Sequence, residues 1–198
     1  MSTPEPTLVL GSASPRRTEL LQQLGLAFTV CPADIDETPF SDEAPRDYVE
    51  RMAREKSAAL DLKESTVLLT ADTSVVLEEQ SLGKPENKDH ARAMLTALSG
   101  RSHEVLTAVC ARDPARSEVI VVRTVVEFGE LSGRLIDDYL ATDEPWDKAG
   151  AYALQGLGGS FVRRVEGSVS NVIGLPLFEL RELLQRFGLV PVLGKDAA

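Results

Sequence analysis

Thr7-Leu8-Val9-Leu10-Gly11-Ser12-Ala13-Ser14-Pro15-Arg16-Arg17 is the stretch from which the fold of this 198-residue chain can be read outward. A short apolar run ending in glycine reads as a buried strand. Ser14 is a good helix N-cap, and Pro15 suits the first helical position, where a missing N–H costs nothing. Leu20, Leu21 and Leu24 then recur at helical spacing until Gly25 stops the helix. The unit is therefore strand, tight loop, helix. The start of a helix offers free N–H groups and the positive end of its dipole, which together attract anions. Arg16 and Arg17 oppose that dipole, so they need another purpose, and a guanidinium can grip a phosphate with two parallel hydrogen bonds. A capped helix with a solvated basic first turn is the plain alternative. A phosphate site built from Ser12, Ser14, Arg16 and Arg17 is the reading that accounts for both arginines.

Working outward, strands and helices alternate. Residues 28–31 read as a strand, 34–43 as an acidic loop, and 45–60 as a helix with Tyr48, Val49, Met52 and Ala53 on its apolar side. Residues 66–70 read as a buried strand that closes with Ala71-Asp72-Thr73, and 75–77 as a short strand leading to a turn at Gly83-Lys84-Pro85. A helix over 89–98 stops at Gly100. Two β-rich runs, 103–112 and 119–128, are joined by Asp113-Pro114-Ala115-Arg116-Ser117 and read as a hairpin. A helix over 132–141, a turn-rich stretch over 142–159, a strand over 161–165 and a last helix over 175–187 follow. The class is α/β, and the hairpin predicts a mixed twisted sheet with flanking helices. No internal repeat or low-complexity linker divides the chain. A single domain over 1–198 is expected, with 1–6 and 189–198 as loose ends.

The net charge is −10, from 21 Lys and Arg against 31 Asp and Glu. An acidic whole argues against non-specific binding to nucleic acid or to an anionic membrane. It leaves room for a small anion, because a few local cations and a metal ion can reverse the field in one cleft. Cys31 and Cys110 read as buried free thiols of a reducing compartment, with a disulfide left open. His90 and His103 stand far from any Cys-x-x-Cys, so no metal cluster of that type is present. The first residues lack the basic-then-apolar order of a secretory signal, and no apolar run reaches membrane-spanning length. A cytoplasmic protein is expected.

Other residues could carry chemistry. Asp72, just past the end of a buried strand, could bind a divalent metal or take a proton from water; an Asp opening a turn is the plain reading. Glu37 lies in the acidic run Asp34-Ile35-Asp36-Glu37, which could help hold a metal or could be wet surface. Lys84, between Gly83 and Pro85, could act as a rigid point charge for a phosphate; alone it reads as a turn lysine. Lys56, in Ala53-Arg54-Glu55-Lys56, has the same standing beside a solvated helix face. Trp146, Tyr152 and Gln155 could stack on and hydrogen-bond a base, or form a loop anchored by Trp146. His103 opens a β-run and reads as core. No Ser or Cys is paired with a His, which leaves covalent acyl chemistry without support.

Taken in order, the segments at 12–17, 53–56, 71–73, 83–85, Leu98-Ser99-Gly100-Arg101-Ser102-His103 and Glu144-Pro145-Trp146-Asp147-Lys148-Ala149-Gly150-Ala151-Tyr152 resemble the Maf family of nucleotide pyrophosphatases. Gln155-Gly156 and Asn171-Val172-Ile173-Gly174-Leu175-Pro176 complete the pattern, which runs from about residue 7 to about residue 187. The resemblance implies an elongated, two-lobed Maf/ITPase-like architecture about a central cleft. It implies hydrolysis of a nucleoside triphosphate between the α and β phosphates, using Mg²⁺ or Mn²⁺. It implies that Asp72 is the general base, that Arg16, Thr73 and Gln155 bear on substrate choice, and that Arg17, Glu37, Lys56 and Lys84 line the phosphate and metal site. It also implies a homodimer.

The Asp147-Lys148-Ala149-Gly150-Ala151-Tyr152 pattern with a following Gln155 looks like the subgroup acting on dTTP and UTP, although Ala153-Leu154 stands where Gly-Ile is frequent. The subgroup acting on 7-methyl-GTP is the second reading. A nucleotide-binding regulator of cell division with little catalysis is the rival from another class. The intact pair Glu37 and Asp72 argues against it, since carboxylates repel a mere phosphate ligand. No Gly-x-x-x-x-Gly-Lys-Ser/Thr loop is present, which argues against a P-loop kinase.

Overall fold

The computed structural model describes residues 6–191. Its first strand is β1, Thr7–Leu10, which pairs in parallel with β2, Phe28–Val30, on one side and with β3, Thr66–Leu77, on the other. Parallel neighbours need a crossover. Helix α1, Pro15–Gln22, supplies the first, with Leu20 and Leu21 buried; helix α2, Pro45–Ala58, precedes β3. The chain then turns at Glu78 and Glu79, both at positive φ (49° and 67°), into β4, Gln80–Leu82, which pairs antiparallel with the end of β3. Helix α3, Lys88–Leu98, is capped by Asn87 and leads to the hairpin of β5, Ser102–Arg112, and β6, Ser117–Phe128. Helix α4, Gly133–Tyr139, strand β7, Val162–Glu166, and helices α5, Val169–Ile173, and α6, Leu177–Arg186, complete the chain. The sheet has seven strands in the order β2-β1-β3-β5-β6-β7, with β4 beside β3, and it is mixed as the hairpin predicts. Among the described residues no helix is long and apolar enough to cross a membrane.

β3 differs most from its sequence reading. Residues expected as a strand, a terminal Ala71-Asp72-Thr73 and a second short strand are one 12-residue strand, so Asp72 lies in its middle. The polar residues hid this because β3 is buried on both faces, where period-two alternation is lost. One edge of β3 explains how a central strand reaches substrate. β1 pairs with β3 only as far as Leu10 opposite Leu69, and β4 begins at Leu82 opposite Val75. Between those points that edge of β3 has no strand partner among the described residues, and the gap opens there. The other edge stays paired to β5 without interruption from Leu68 to Val76.

The core divides around the same gap. Leu69 and Ala71 of β3 join Leu20, Leu21, Leu180 and Leu183 under α1 and α6, whereas Val75 and Leu77 join Leu95, Leu98, Phe128 and Tyr152 near α3. A third cluster sets Val49 and Ala53 of α2 against Val76, Leu106 and Ala108 on the opposite sheet face. α5 was not foreseen. Ser168 caps it and Gly174, at φ 126°, ends it, so α6 starts at Leu177 rather than at residue 175. Cys110 is buried, but Cys31 is exposed at the end of the short edge strand β2 and both are free thiols. Leu189, placed by the sequence in a loose end, is buried among the α6 side chains, and its N–H donates to Leu184 O at 3.0 Å. The expected loose ends at 1–5 and 192–198 lie outside the described residues.

Candidate active site

A cleft of about 630 Å³ opens at the unpaired edge of β3. Ser12, Ser14, Arg16, Arg17, Glu37, Lys56, Asp72, Thr73, Lys84 and Gln155 all line it. The structure thus brings these ten residues together, with Tyr152 beside them, but it leaves Trp146 out of the lining: the Trp146 indole N–H donates to Thr142 O at 2.9 Å within its own loop.

The loop after β1 and the first turn of α1 hold Arg17 in place. Ser14 Oγ accepts from Arg17 N at 3.4 Å, the N-cap bond expected from the sequence, and Ser12 Oγ accepts from Ser14 N at 3.2 Å. The guanidinium spends its donors on neutral oxygens: Ser12 Oγ at 3.2 Å, Thr73 Oγ1 at 3.1 Å and Gly174 O at 3.0 Å. Burial lowers its pKa and the nearby Asp72 charge opposes this, yet an arginine stays charged at any working pH. Among the described residues no carboxylate forms an ion pair with Arg17. A fixed, partly desolvated cation with neutral supports is set to receive an anion.

Lys56 sits on the buried stripe of α2 with Val49, Met52 and Ala53, one i, i+3, i+4, i+7 face. Its Nζ meets Asp72 Oδ1 at 2.7 Å and Glu37 Oε1 at 2.9 Å. Burial pushes the Asp72 carboxyl up, and the charges of Lys56 and Arg17 pull against it. Glu37 is exposed, and its loop is tied down from α2: Tyr48 OH donates to Glu37 O at 2.9 Å, and Arg51 binds Glu43 and donates to Thr38 O at 3.1 Å while stacking on Phe40. Burial beside Asp72 and Glu37 raises the Tyr48 phenol to about 12, so it remains a donor. Tyr48 and Arg51 were not picked out as site supports from the sequence, because their partners lie on an irregular loop.

Arg16 was expected to be free for phosphate, and here it is paired. Its Nη1 donates to Asp147 Oδ2 at 2.7 Å, and Lys148 Nζ binds the same carboxylate. Burial would raise the Asp147 carboxyl, but hydrogen bonds from Lys148 and Arg16 outweigh it and leave it at about 2. This pair ties the start of α1 to the turn-rich stretch across the cleft. That stretch docks on the Lys84 turn through Gly150, whose N–H donates to Gly83 O at 3.1 Å. Gly150 holds φ 69°, and a Cβ there would press on Val75. Lys84 itself is exposed at the cleft. His103 is core as expected, with Nε2 2.8 Å from Tyr152 OH, and burial lowers its pKa to about 4.

Gln155 is exposed at the cleft on a turn that Glu144 organises. The Glu144 carboxylate accepts from Leu157 N and Gly158 N, both at 2.8 Å, and from Tyr139 OH at 2.9 Å. Gly156 passes so close that a Cβ would stand 2.2 Å from Glu144 Oε2. With three bonds holding it, that carboxylate is not free to retreat. Gly156→Ala is therefore expected to destabilise the protein by about 1–3 kcal/mol, read as a lowered urea midpoint. An unchanged midpoint would show that the turn yields easily.

The Maf-like protein profile matches residues 7–187. A dTTP/UTP pyrophosphatase of Anaeromyxobacter dehalogenans is 56 % identical, over 92 % of this chain and 95 % of its own. A dTTP/UTP pyrophosphatase of Pseudoalteromonas atlantica is 50 % identical, over 92 % of this chain and 97 % of its own. Among solved structures, a HAM1 protein from Coxiella burnetii superposes with a TM-score of 0.50 at 17 % identity, over 91 % of this chain and 99 % of that one; the likeness is one of fold. With its profile matched from β1 to the end of α6, the chain belongs to the Maf-like protein family.

Proposed function

We propose that this single-domain protein hydrolyses dTTP and UTP to the nucleoside monophosphate and pyrophosphate. The observation that carries the reading is the charge arrangement of the cleft: Arg17 held by neutral oxygens alone, facing Glu37 and Asp72 gathered on one ammonium. A triphosphate complexed with a divalent cation carries the complementary charges. The names of relatives sharing half or more of their residues with this chain favour dTTP and UTP over 7-methyl-GTP.

The donor set suits Mg²⁺ or Mn²⁺. Two carboxylates already converge on one cation, Lys56 Nζ, and no larger group of His, Cys, Asp and Glu that could hold a metal occurs among the described residues. Mg²⁺ is commonly held by one or two carboxylates together with substrate phosphates. Glu37 and Asp72 would hold the ion, which supplies charge stabilisation for the departing pyrophosphate. The chain's own residues do the rest. Arg17, Lys84 and, once released from Asp147, Arg16 bind phosphate oxygens and stabilise the growing negative charge. Ser12 and Ser14 set the loop that presents Arg17. Asp72 accepts the proton of the attacking water; among the described residues its Oδ2 accepts no hydrogen bond and only Oδ1 is taken by Lys56. Gln155 and Thr73 contact the nucleoside.

The test is product analysis with a panel of triphosphates and Mn²⁺. Pyrophosphate and monophosphate from dTTP and UTP are expected, with less from 7-methyl-GTP. Inorganic phosphate and a diphosphate would overturn the reading, and tight binding with no release would favour a regulator.

A further inference from the structure

Thr107 of β5 stands directly across from Thr73 of β3. Their shared sheet face is apolar on both sides: Val109 and Ala111 belong to the core under α1 and α6, and Val105 to the core near α3. A wholly buried hydroxyl between two apolar clusters needs a reason, since burying it costs energy unless it is hydrogen-bonded. α5 covers the position. Thr107 Oγ1 donates to Asn171 O at 3.0 Å, and Asn171 is anchored in turn by Nδ2 donating to Val105 O and Thr124 Oγ1, each at 3.0 Å.

A hydroxyl has one proton, and a carbonyl oxygen can only accept. The Thr107 proton is therefore committed to Asn171 O. The 3.0 Å contact between Thr73 Oγ1 and Thr107 Oγ1 must then have Thr73 as its donor. That commits the Thr73 proton as well, while Arg17 Nη2 donates to the same oxygen at 3.1 Å. The polarity runs one way, from Arg17 through Thr73 and Thr107 to the α5 backbone. Thr73 has only lone-pair capacity left for the cleft it lines.

We propose that Thr107 is a positioning residue that fixes Thr73 as a hydrogen-bond acceptor, so that Thr73 selects a donor group on the nucleoside part of the substrate. The inference rests on the reading that a nucleoside triphosphate occupies this cleft. Two donors fit the chemistry: the imide N–H of uracil or thymine, and a sugar hydroxyl. Phosphate oxygens are acceptors, so Thr73 does not serve them; it orients Arg17, which does. A cytosine ring nitrogen, an acceptor in place of the imide N–H, would meet lone pair with lone pair and be rejected. A site built to pair with a substrate N–H or O–H rejects an analogue lacking it, because the site is left unpaired.

The experiment measures kcat and KM by pyrophosphate release for the wild type, Thr107→Val, Thr107→Ser and Thr73→Val. The substrates are UTP, N3-methyl-UTP, dTTP and 3′-deoxythymidine triphosphate. The wild type is expected to lose about tenfold in kcat/KM on one donor-lacking analogue, mainly through KM. Loss on N3-methyl-UTP identifies the imide, and loss on the 3′-deoxy compound identifies the sugar. Thr107→Val and Thr73→Val are expected to close that gap to within about twofold, and Thr107→Ser to restore it. A merely structural Thr107 would lower all four substrates together and leave the gap open, which overturns the proposal, as does a wild type with no gap on either analogue. If Thr107→Val fails to fold, a full gap in Thr73→Val overturns it equally. A wild type that releases pyrophosphate from no triphosphate overturns the reading of the cleft itself.

Discussion

Asp72→Asn is expected to keep the fold and to lower turnover by about 10²–10⁴, the usual worth of a positioned general base. The fold should survive because two effects oppose one another. Burial raises the Asp72 carboxyl above its ordinary value, so in the folded protein its charge is a liability that grows as pH rises from the unfolded value of 3.8 through the folded one. Asn removes that liability. It also removes one partner of Lys56, but Glu37 Oε1 remains 2.9 Å from the ammonium. The melting temperature should therefore move by less than about 4 °C, the shift that accompanies roughly 1 kcal/mol in a domain of this size. Turnover should fall because an amide can neither accept the proton nor supply the anionic oxygen that a divalent ion needs. In the wild type, kcat/KM should decline on the acid side as Asp72 takes up a proton. The residual activity of Asp72→Asn should lack that decline. Near-wild-type pyrophosphate release by folded Asp72→Asn, assayed with saturating Mn²⁺, would remove Asp72 from the mechanism.

Local chemistry made part of this site readable from the sequence. The cap at Ser14, Pro15 at the first helical position and the two arginines act within one turn of α1, and the N-cap bond appears where expected. Lys56 stood in the sequence as a candidate beside the plain reading of a solvated helix face, although its spacing from Val49, Met52 and Ala53 already places it on the buried stripe of α2. The continuity of β3 was not readable. A strand buried on both faces carries no alternation, and Ala71-Asp72-Thr73 looks like a strand end when the gap between β1 and β4 is unknown. Contacts between distant segments were beyond reach for a similar reason. Arg16 meets Asp147 and Thr73 meets Thr107 because the sheet closes long intervals of chain, and no spacing in the sequence signals either pairing. Cys31 was misjudged because cysteine is commonly buried, whereas β2 is a short edge strand with little cover.

Lys56→Met should have the largest effect on stability, and its dependence on pH separates charge from packing. Methionine can fill much of the space of the lysine stem, so the lost volume is small. What disappears is the cation that holds Asp72 and Glu37 together. Asp72 is 7 % exposed, and removing one partner of a buried pair commonly costs about 3–5 kcal/mol, because the other charge is left uncompensated. The Asp72 carboxyl, already raised by burial, must rise further once Lys56 no longer opposes that shift. The folded variant then binds a proton that the unfolded chain releases above 3.8, so its stability falls as pH climbs from there to the folded value and levels off beyond it. Urea unfolding should accordingly show a deficit of about 3 kcal/mol against the wild type at about pH 7.5, and a smaller one at about pH 4.5. The acid limb of its residual kcat/KM should move upward in the same direction, since Asp72 must lose its proton before it can accept one from water. A deficit equal at both pH values would mean that Lys56 acts through packing alone, and that the meeting of Glu37, Lys56 and Asp72 is not the electrostatic centre of this cleft.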